Sequence, residues 1–545
     1  MAEGFTIPTI LVAGSALPPG FAPRSIDVTR AVNRIPTAII SIHAKGAVAD
    51  ETPLMAGGPF KPAAEVEIKL RRAGEDDVSV FKGVVTAFSV HTRDGLPTLD
   101  VVVKDKTVKL TGARHSRIWT DTADSDAIRA IVSDATLTVD DAPDTTPTHK
   151  TLVQHDCTDW DFILTRADAE GLCVVAIDGA VSLKKLAVDG DAAHSFKLGL
   201  DPITDLHFEL DVASQAPSVD GMAWDPKQLA PAEPATAEPL SLPQGEIGTA
   251  SVGDDLGMAP LHLAHMVPLQ PDEVKAWSNA RAARARLALI RGRMSVAGLP
   301  EAKPMDIAAL DGFGDLLNGK VLVTGVRHRL DAHGFSTDLQ FGLSAEPAGR
   351  LPDLANMDAG GLLPPIAGLH LGTIPDSSEE DPDGDSRIQV NVASVLTEPP
   401  KPLWARIAAP DAGDKRGFCV RPEPGDEVLV GFLGGDPRHP IVLGRLWGAK
   451  NKLPEGFTDA KQKGLIGKKD TRIVLSEADK PSITISTPGG RTIIVDDDGG
   501  SITLSDKNNN KLTLDASGIT IESGKDLVIQ AKGAVTIKGS TIDLN

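Results

Sequence analysis

A mainly β chain of several domains is what this sequence predicts, and three observations carry that expectation. β-Branched, partly alternating runs bounded by Gly and Asp recur along the chain, whereas helix-period patterns are few. Between Asp381 and Gly448, short apolar runs alternate with Gly/Pro turns. The closing stretch KLTLDASGITIESGKDLVIQAKGAVTIKGSTIDLN repeats the triplets LTL, ITI, VIQ, VTI and IDL, returning roughly every eight residues. A length of 545 residues has room for about three or four domains.

In chain order, the first strands are expected in IPTAIISIHAKG (35–46), AEVEIKLRR (64–72), FKGVVTAFSVHT (81–92) and LPTLDVVVKD (96–105). Helices are expected over 124–135, where acidic residues open a 3.6-period pattern, and over 158–172, with Thr158 as N-cap and Gly171 as stop. A third helix is expected over the Ala/Leu/Arg-rich residues 273–293. The Pro- and Ala-rich residues 214–245 read as a linker or a long irregular arm. The stretch from Gly83 echoes the one from Gly319. Each has Val-Thr leading a strand (Val85-Thr86, Val323-Thr324), then a turn at Gly95 or Gly334, with Thr98 or Thr337 three residues on. Two ordinary hairpins would look alike in this way; a duplicated β-domain is the sharper reading. Residues 381–448 read as about five strands curling into a closed Greek-key barrel, an OB-fold.

Composition excludes several classes. With 55 Lys+Arg against 75 Asp+Glu the formal charge is −20, which argues against a nucleic-acid surface. Tyr is absent and aromatics make up 4%, so cores must be aliphatic. Cys157, Cys173 and Cys419 form no CxxC pair and read as buried thiols. The N-terminus has no basic region before an apolar one, and no apolar run nears the ~18 residues of a membrane span. Assembly in the cytoplasm without a signal peptide is the expectation.

The barrel stretch carries a resemblance. Gly417-Phe418, Pro424-Gly425-Asp426-Glu427-Val428, Gly431-Phe432, Gly435-Asp436-Pro437, Pro440 and Leu443-Gly444 are similar to the OB-domain pattern of the VgrG and phage baseplate spike proteins. Residues 116–132 and 153–172 resemble the hub wording of that family, with Ala169 and Cys173 as departures. The resemblance implies a hub at 1–350 with two tube-like β-domains (about 1–110 and 255–350) and an intervening α/β part. A linker (351–362), an OB-fold (363–453), a neck (454–480) and a needle (481–545) would follow. The needle would be a trimeric β-helix, or β-prism, whose core is Ile502, Leu504, Leu512, Leu514, Ile519, Ile521, Val535 and Ile537, with glycines 518, 524, 533 and 539 at its corners.

The function so implied is a structural, cell-puncturing spike of a contractile injection system. Its expected partners are two further copies of the chain, a hexameric inner tube, baseplate proteins and a PAAR-type protein capping the tip at Ile542, Asp543, Leu544 and Asn545. Nucleic acid is not expected as a partner, and the target membrane would be met only mechanically. The particle is expected to be released from the cell. The alternatives are a spike with lysozyme or effector activity, or a type VI secretion VgrG tip. No cofactor, metal or catalytic residue is expected. The HLAH histidines His262 and His265 lack the HExxH glutamate and spacing. No histidine follows His439, which closes the iron-sealed tip that some phage needles use. Residues 453–473 are too few to hold an enzyme domain, and nothing follows Asn545, which favours the purely structural reading.

Overall fold

The computed structural model describes residues 8–19, 21–43, 58–72, 74–93, 96–245, 249–350, 354–355, 357–376, 379–395, 399 and 401–543. The chain divides into two compact units, Met1–Asn356 and Met357–Asn545.

The first unit opens with β1 (Thr9–Val12), β2 (Ser15–Ala16), β3 (Pro23–Ala31), β4 (Thr37–His43), β5 (Glu65–Leu70), β6 (Val78–Arg93) and β7 (Leu96–Lys104), hydrogen-bonded in the order β3-β4-β7-β6-β5-β1-β2. Period-two alternation puts Ile26, Val28, Ile40, Ile42, Ile68, Leu70, Val101 and Val103 on one face, where they form an aliphatic core. An α/β insertion follows: β8 (Arg114–Thr122), α1 (Asp124–Asp134), β9 (Thr138–Asp141), β10 (His149–Thr158), α2 (Asp159–Ala169), β11 (Leu172–Ile177) and β12 (Ala180–Lys185). The Thr158 hydroxyl caps α2 by accepting from the Asp161 N–H, and Gly171 ends the helical path at φ +68°.

Next come β13 (His194–Lys197), β14 (Ile203–Leu210), β15 (Val219–Asp225), β16 (Ala230–Pro231), β17 (Ala235–Thr236), α3 (Thr249–Asp255), β18 (Leu261–His265), α4 (Pro271–Ala288), β19 (Ile290–Ala297), β20 (Ile307–Asp311), β21 (Gly319–Asp331) and β22 (Gly334–Phe341). The order β14-β19-β22-β21-β20-β13 repeats that of β3-β4-β7-β6-β5-β1. The repetition extends to local detail. The ladder slips by one residue at Thr86 in β6 and at Thr324 in β21, and again before Ser25 in β3 and before Asp205 in β14. In each copy a serine on the neighbouring strand donates to an aspartate on the return strand: Ser41 to Asp100 and Ser295 to Asp338, both at 2.6 Å. The copies differ at one edge, where β1 runs antiparallel to β5 but β13 runs parallel to β20. They are joined into one sheet by β21 pairing antiparallel with β3.

Several expectations need correction. Gly334 opens β22 rather than occupying the turn: Asp331 pairs with Gly334 as Arg93 pairs with Leu96, so Thr98 corresponds to Ser336, not Thr337. Gly95 lies outside the described residues. The second β-domain takes in β13 and β14, which precede residue 255, because the α/β arm is inserted inside it. The third helix stops at Ala288; from Ile290 the side chains alternate, and Arg291 and Arg293 reach Glu209 and Asp205 across the β14 ladder. The Pro-rich stretch is not all linker. It supplies β15, whose Val219 and Ala223 are buried, and Gly221 lies so close to α4 that a Cβ would come 2.3 Å from Ser278 Oγ. Cys173 is buried and its thiol is pushed up to about 12 by desolvation, but Cys419 is exposed in irregular chain.

The second unit begins with β23 (His370–Thr373), β24 (Ile388–Val392), β25 (Leu403–Ile407), β26 (Ala412–Gly413), β27 (Arg416–Gly417), β28 (Glu427–Phe432) and β29 (Pro440–Arg445). Five of these close into a barrel, β23-β24-β25-β29-β28, around Val390, Ala405, Val428, Val430 and Val442. The motif residues of this region make its turns. Gly425 at φ +85° lets Asp426 accept from the Glu423 N–H, and the Asp436 carboxylate holds the Arg438 guanidinium after two left-handed glycines, Gly434 and Gly435. Last comes an antiparallel meander of β30 (Gln462–Ile466), β31 (Arg472–Ser476), β32 (Ser482–Thr487), β33 (Arg491–Asp496), β34 (Ser501–Ser505), β35 (Lys511–Asp515) and β36 (Gly518–Glu522).

Candidate functional site: the needle face and its tip

The register of the meander stacks like on like. Leu465, Ile473, Ile485, Ile493, Leu504, Leu512 and Ile521 are successive cross-strand partners. Lys463, Leu475, Ile483, Val495, Ile502, Leu514 and Ile519 form a second column two residues away. Because side chains two apart share a face, both columns lie on the same side of the ribbon. The column between them (Gly464, Val474, Thr484, Ile494, Thr503, Thr513, Thr520) turns to the other side and is mostly threonine.

Six of the eight residues expected as needle core thus come together: Ile502, Leu504, Leu512, Leu514, Ile519 and Ile521. Within one chain they are not buried. Ile502 and Leu504 keep 40% and 39% of their surface exposed, and Ile519 keeps 70%. A continuous aliphatic stripe of this kind is a surface made to be covered. Each Leu or Ile moved from half exposed to buried would contribute roughly 1 kcal/mol. Charges keep to the ribbon's margins, as in the Arg472–Asp470 and Lys480–Asp498 pairs, apart from Lys463, which opens the second column and pairs with Glu477.

The other two expected core residues, Val535 and Ile537, are exposed and stand in no strand. Among the described residues pairing stops at Glu522 and 523–543 form no ladder, so the expected strands VIQ and VTI are absent from this chain, IDL runs beyond the described residues, and Gly524, Gly533 and Gly539 turn no corners of a ladder. Runs of three residues separated by Gly and Lys cannot hold a strand without a neighbour already in place. At the tip Ile542 is exposed, and Leu544 and Asn545 lie outside the described residues.

Sequence reading missed the upper half of the stripe. Leu465, Ile473 and Leu475 fall in 454–480, the expected neck, yet β30 and β31 there belong to the same ladder. The signal was present in the alternation RIVLS, which matches SITIST a few residues later.

The first unit holds a buried charged cluster that no motif announced. The Asp124 carboxylate accepts from Arg166 Nε at 2.6 Å and Nη2 at 2.8 Å, and from His149 Nε2 at 2.9 Å. Burial opposes ionisation of Asp124, but the Arg166 and His149 bonds hold it below the usual carboxylate range. Glu273 adds a second carboxylate 3.5 Å from Arg166 Nη2. Nearby Glu170 is pushed up to about 8 by burial and then by the Asp124 charge. The cluster ties together α1, β10, α2 and α4, the role of a clamp. His262 and His265 sit three apart on β18 and so face opposite sides, His262 3.6 Å from Asp220 and His265 edge-on to Trp277.

Comparison with known proteins bears on all three regions. Residues 3–332, more than half of the chain, match the family described as Alg8 N-terminal domain. Residues 370–447 match the type VI secretion system/phage-baseplate injector OB domain, and residues 482–545 the phage baseplate V C-terminal trimerisation domain. Among curated relatives, the type VI secretion system spike protein VgrG3 of Vibrio cholerae serotype O1 is 41% identical over 63 residues, 12% of this chain and 6% of that protein. The actin cross-linking toxin VgrG1 of another strain of that species is 40% identical over 63 residues, again 12% of this chain and 6% of the relative. These matches therefore span only a small part of the relatives' length. Among solved structures, a tail protein from Neisseria meningitidis MC58 aligns over 64% of this chain and 99% of its own, at 13% identity and a TM-score of 0.46.

Proposed function

We propose that this chain, which belongs to the Alg8 N-terminal domain family and carries matches to the injector OB and baseplate trimerisation domains, is the structural, cell-puncturing spike of a contractile injection system, working as a homotrimer. The observation that carries this reading is the two-column aliphatic face of β30–β36, laddered strand to strand yet uncovered, of which β32–β36 lie in the stretch that matches a trimerisation domain. Three such ribbons facing one axis bury one another's stripes and leave the threonine columns outside. The rod that results is stiff, and a stiff rod transmits force along its length.

In this reading two β-units per chain, taken three times, give six similar units that seat a hexameric tube ring, with baseplate proteins around them. Residues 523–543 pair between chains, which they do not do within one. The tip residues Ile542, Asp543, Leu544 and Asn545 bind a PAAR-type cap through apolar and strand-end contacts. The spike is not itself an enzyme, is assembled in the cytoplasm, and leaves the cell as part of a released particle. Among the described residues no helix is long and apolar enough to cross a membrane. A spike bearing an effector activity is the second reading, favoured by the relative named as an actin cross-linking toxin, and a type VI secretion tip is the third.

Native mass spectrometry of the purified chain tests the first reading: a trimer is expected, and a folded monomer at micromolar concentration refutes it. Deleting Thr541–Asn545 is expected to abolish co-purification of a PAAR-type cap while the trimer persists. Retention of the cap by the truncated spike removes the tip assignment.

A further inference from the structure

The two β-units of the first unit are copies, and the seam between them shows which edges are complementary. In that seam the C-terminal half of β21 pairs antiparallel with β3: Gly325 with Ala31, Val326 with Arg30, Arg327 with Thr29, His328 with Val28, Arg329 with Asp27 and Leu330 with Ile26. Each partner has a counterpart in the other copy. The shared ladder slips and the Ser–Asp bonds place Thr86 on Thr324 and Ser25 on Asp205, so β6 corresponds to β21 and β14 corresponds to β3.

Those counterparts are unpaired. Among the described residues, β6 beyond Val85 bonds only to β7, and β14 bonds only to β19. One chain therefore carries, on β14 at one end of its sheet and on the second half of β6, past the reach of β5, the two edges that meet in its middle.

We infer that residues 87–92 of β6 in one chain pair antiparallel with residues 206–211 of a second copy of this chain. The register follows from the copies: Ala87 opposite Asp211, Phe88 opposite Leu210, Ser89 opposite Glu209, Val90 opposite Phe208, His91 opposite His207 and Thr92 opposite Leu206.

The side chains fit. Inside the chain, Val326, Arg30, His328 and Val28 face the same way and are all buried. Their counterparts are Phe88, Leu210, Val90 and Phe208, all apolar. Phe88 and Leu210 rank among the exposed large hydrophobics at 37% and 41%, and in this register they lie directly across from each other. Bare strand edges flanked by apolar side chains associate unless covered. The interface is head-to-tail, so it closes only as a ring. Given the trimer proposed above, three seams within chains alternate with three between chains, and no edge of this kind stays open.

The inference rests on that trimer, and the test separates the two. Directly opposed residues of an antiparallel pair have Cα atoms about 4.5–5.5 Å apart, within disulfide reach. In a Cys419→Ser background of the full chain, Phe88→Cys with Leu210→Cys is oxidised and run on a non-reducing gel. Ser89→Cys with Glu209→Cys, on the opposite face, guards against disturbance of the apolar pair. Covalent trimers are expected from either pair. Phe88→Cys with Leu206→Cys, about 13 Å out of register at ~3.3 Å per residue, is expected to stay monomeric on the gel. A trimer by native mass in which neither opposed pair cross-links, or in which the shifted pair links equally well, overturns the seam and leaves the trimer standing. A monomer by native mass overturns both.

Discussion

The first β-unit and the meander of the second unit have the same number of strands, seven each, and opposite relations to water. In the first, β3 to β7 curl so that Ile40, Ile42, Ile68 and Leu99 lose all contact with solvent. In the meander the cross-strand pairs are just as regular, yet Ile473, Ile485, Ile493, Ile502 and Leu504 each remain about 40% exposed, and among the described residues no hydrophobic one beyond Val442 is buried. The difference is curvature. β6 has sixteen residues and a ladder slip at Thr86, enough to bend the sheet onto itself, whereas strands of five or six residues joined by tight turns make a ribbon with nothing to close on. A sheet that folds over its apolar face is a domain. A ribbon that cannot is a subunit interface.

The largest effect should come from charging the ribbon. Ile502→Asp places three carboxylates about the proposed axis, and a buried unpaired charge costs roughly 3–5 kcal/mol. Loss of the trimer by native mass is expected, with the melting transition of the first unit unchanged. Ile68→Ala should do the reverse: it opens a cavity in the first core, costs about 2–5 kcal/mol, and lowers that melting transition while the chain stays trimeric. If both substitutions lowered the same transition equally, the contrast between self-closed sheet and open ribbon would fail.

A smaller loss, about 1–3 kcal/mol, is expected for Gly221→Ala, because the new Cβ meets Ser278 Oγ on α4. Calorimetry should show it in the first unit alone. The smallest effect is a pH slope. Glu170 is pushed up to about 8 in the fold from 4.5, so between those values the folded state binds the extra proton. Its contribution is full below about pH 4.5 and is lost as pH rises through about 8. Glu170→Gln should flatten the decline of melting temperature over that window relative to the unaltered chain; an identical slope in the two would count against the assignment.

His328 runs the opposite way. Burial, and then the Arg30 charge, lowers it to about 3, so it is neutral in the fold, and its contribution is lost as pH falls below about 6.5. It lies within the seam of β21 and β3, which is therefore expected to loosen in acid before the meander does. Hydrogen exchange across residues 325–330 at pH 4 and pH 7 measures this.

How much was legible follows physical lines. The pattern PEPGDEV predicted a turn because glycine alone adopts φ +85° without strain, and Gly425 does. The triplets LTL and ITI predicted strands, and the register sets their residues in the columns of the face. The extent of the second β-unit was not legible, since β14 reaches β19 across about eighty residues of inserted chain, a pairing that no local pattern encodes. Nor was the charged cluster, whose members Asp124, His149, Arg166 and Glu273 belong to four different elements.

By itself the sequence determined which segments alternate, where the chain turns, and that aliphatic side chains would fill its cores, because these depend on the side-chain period of a strand and on the backbone freedom of glycine. Tertiary structure alone decided which apolar faces are covered. Ile68 and Ile502 stand in equally regular alternating runs, and only the sheet that closes over one and leaves the other bare distinguishes a core residue from a contact surface.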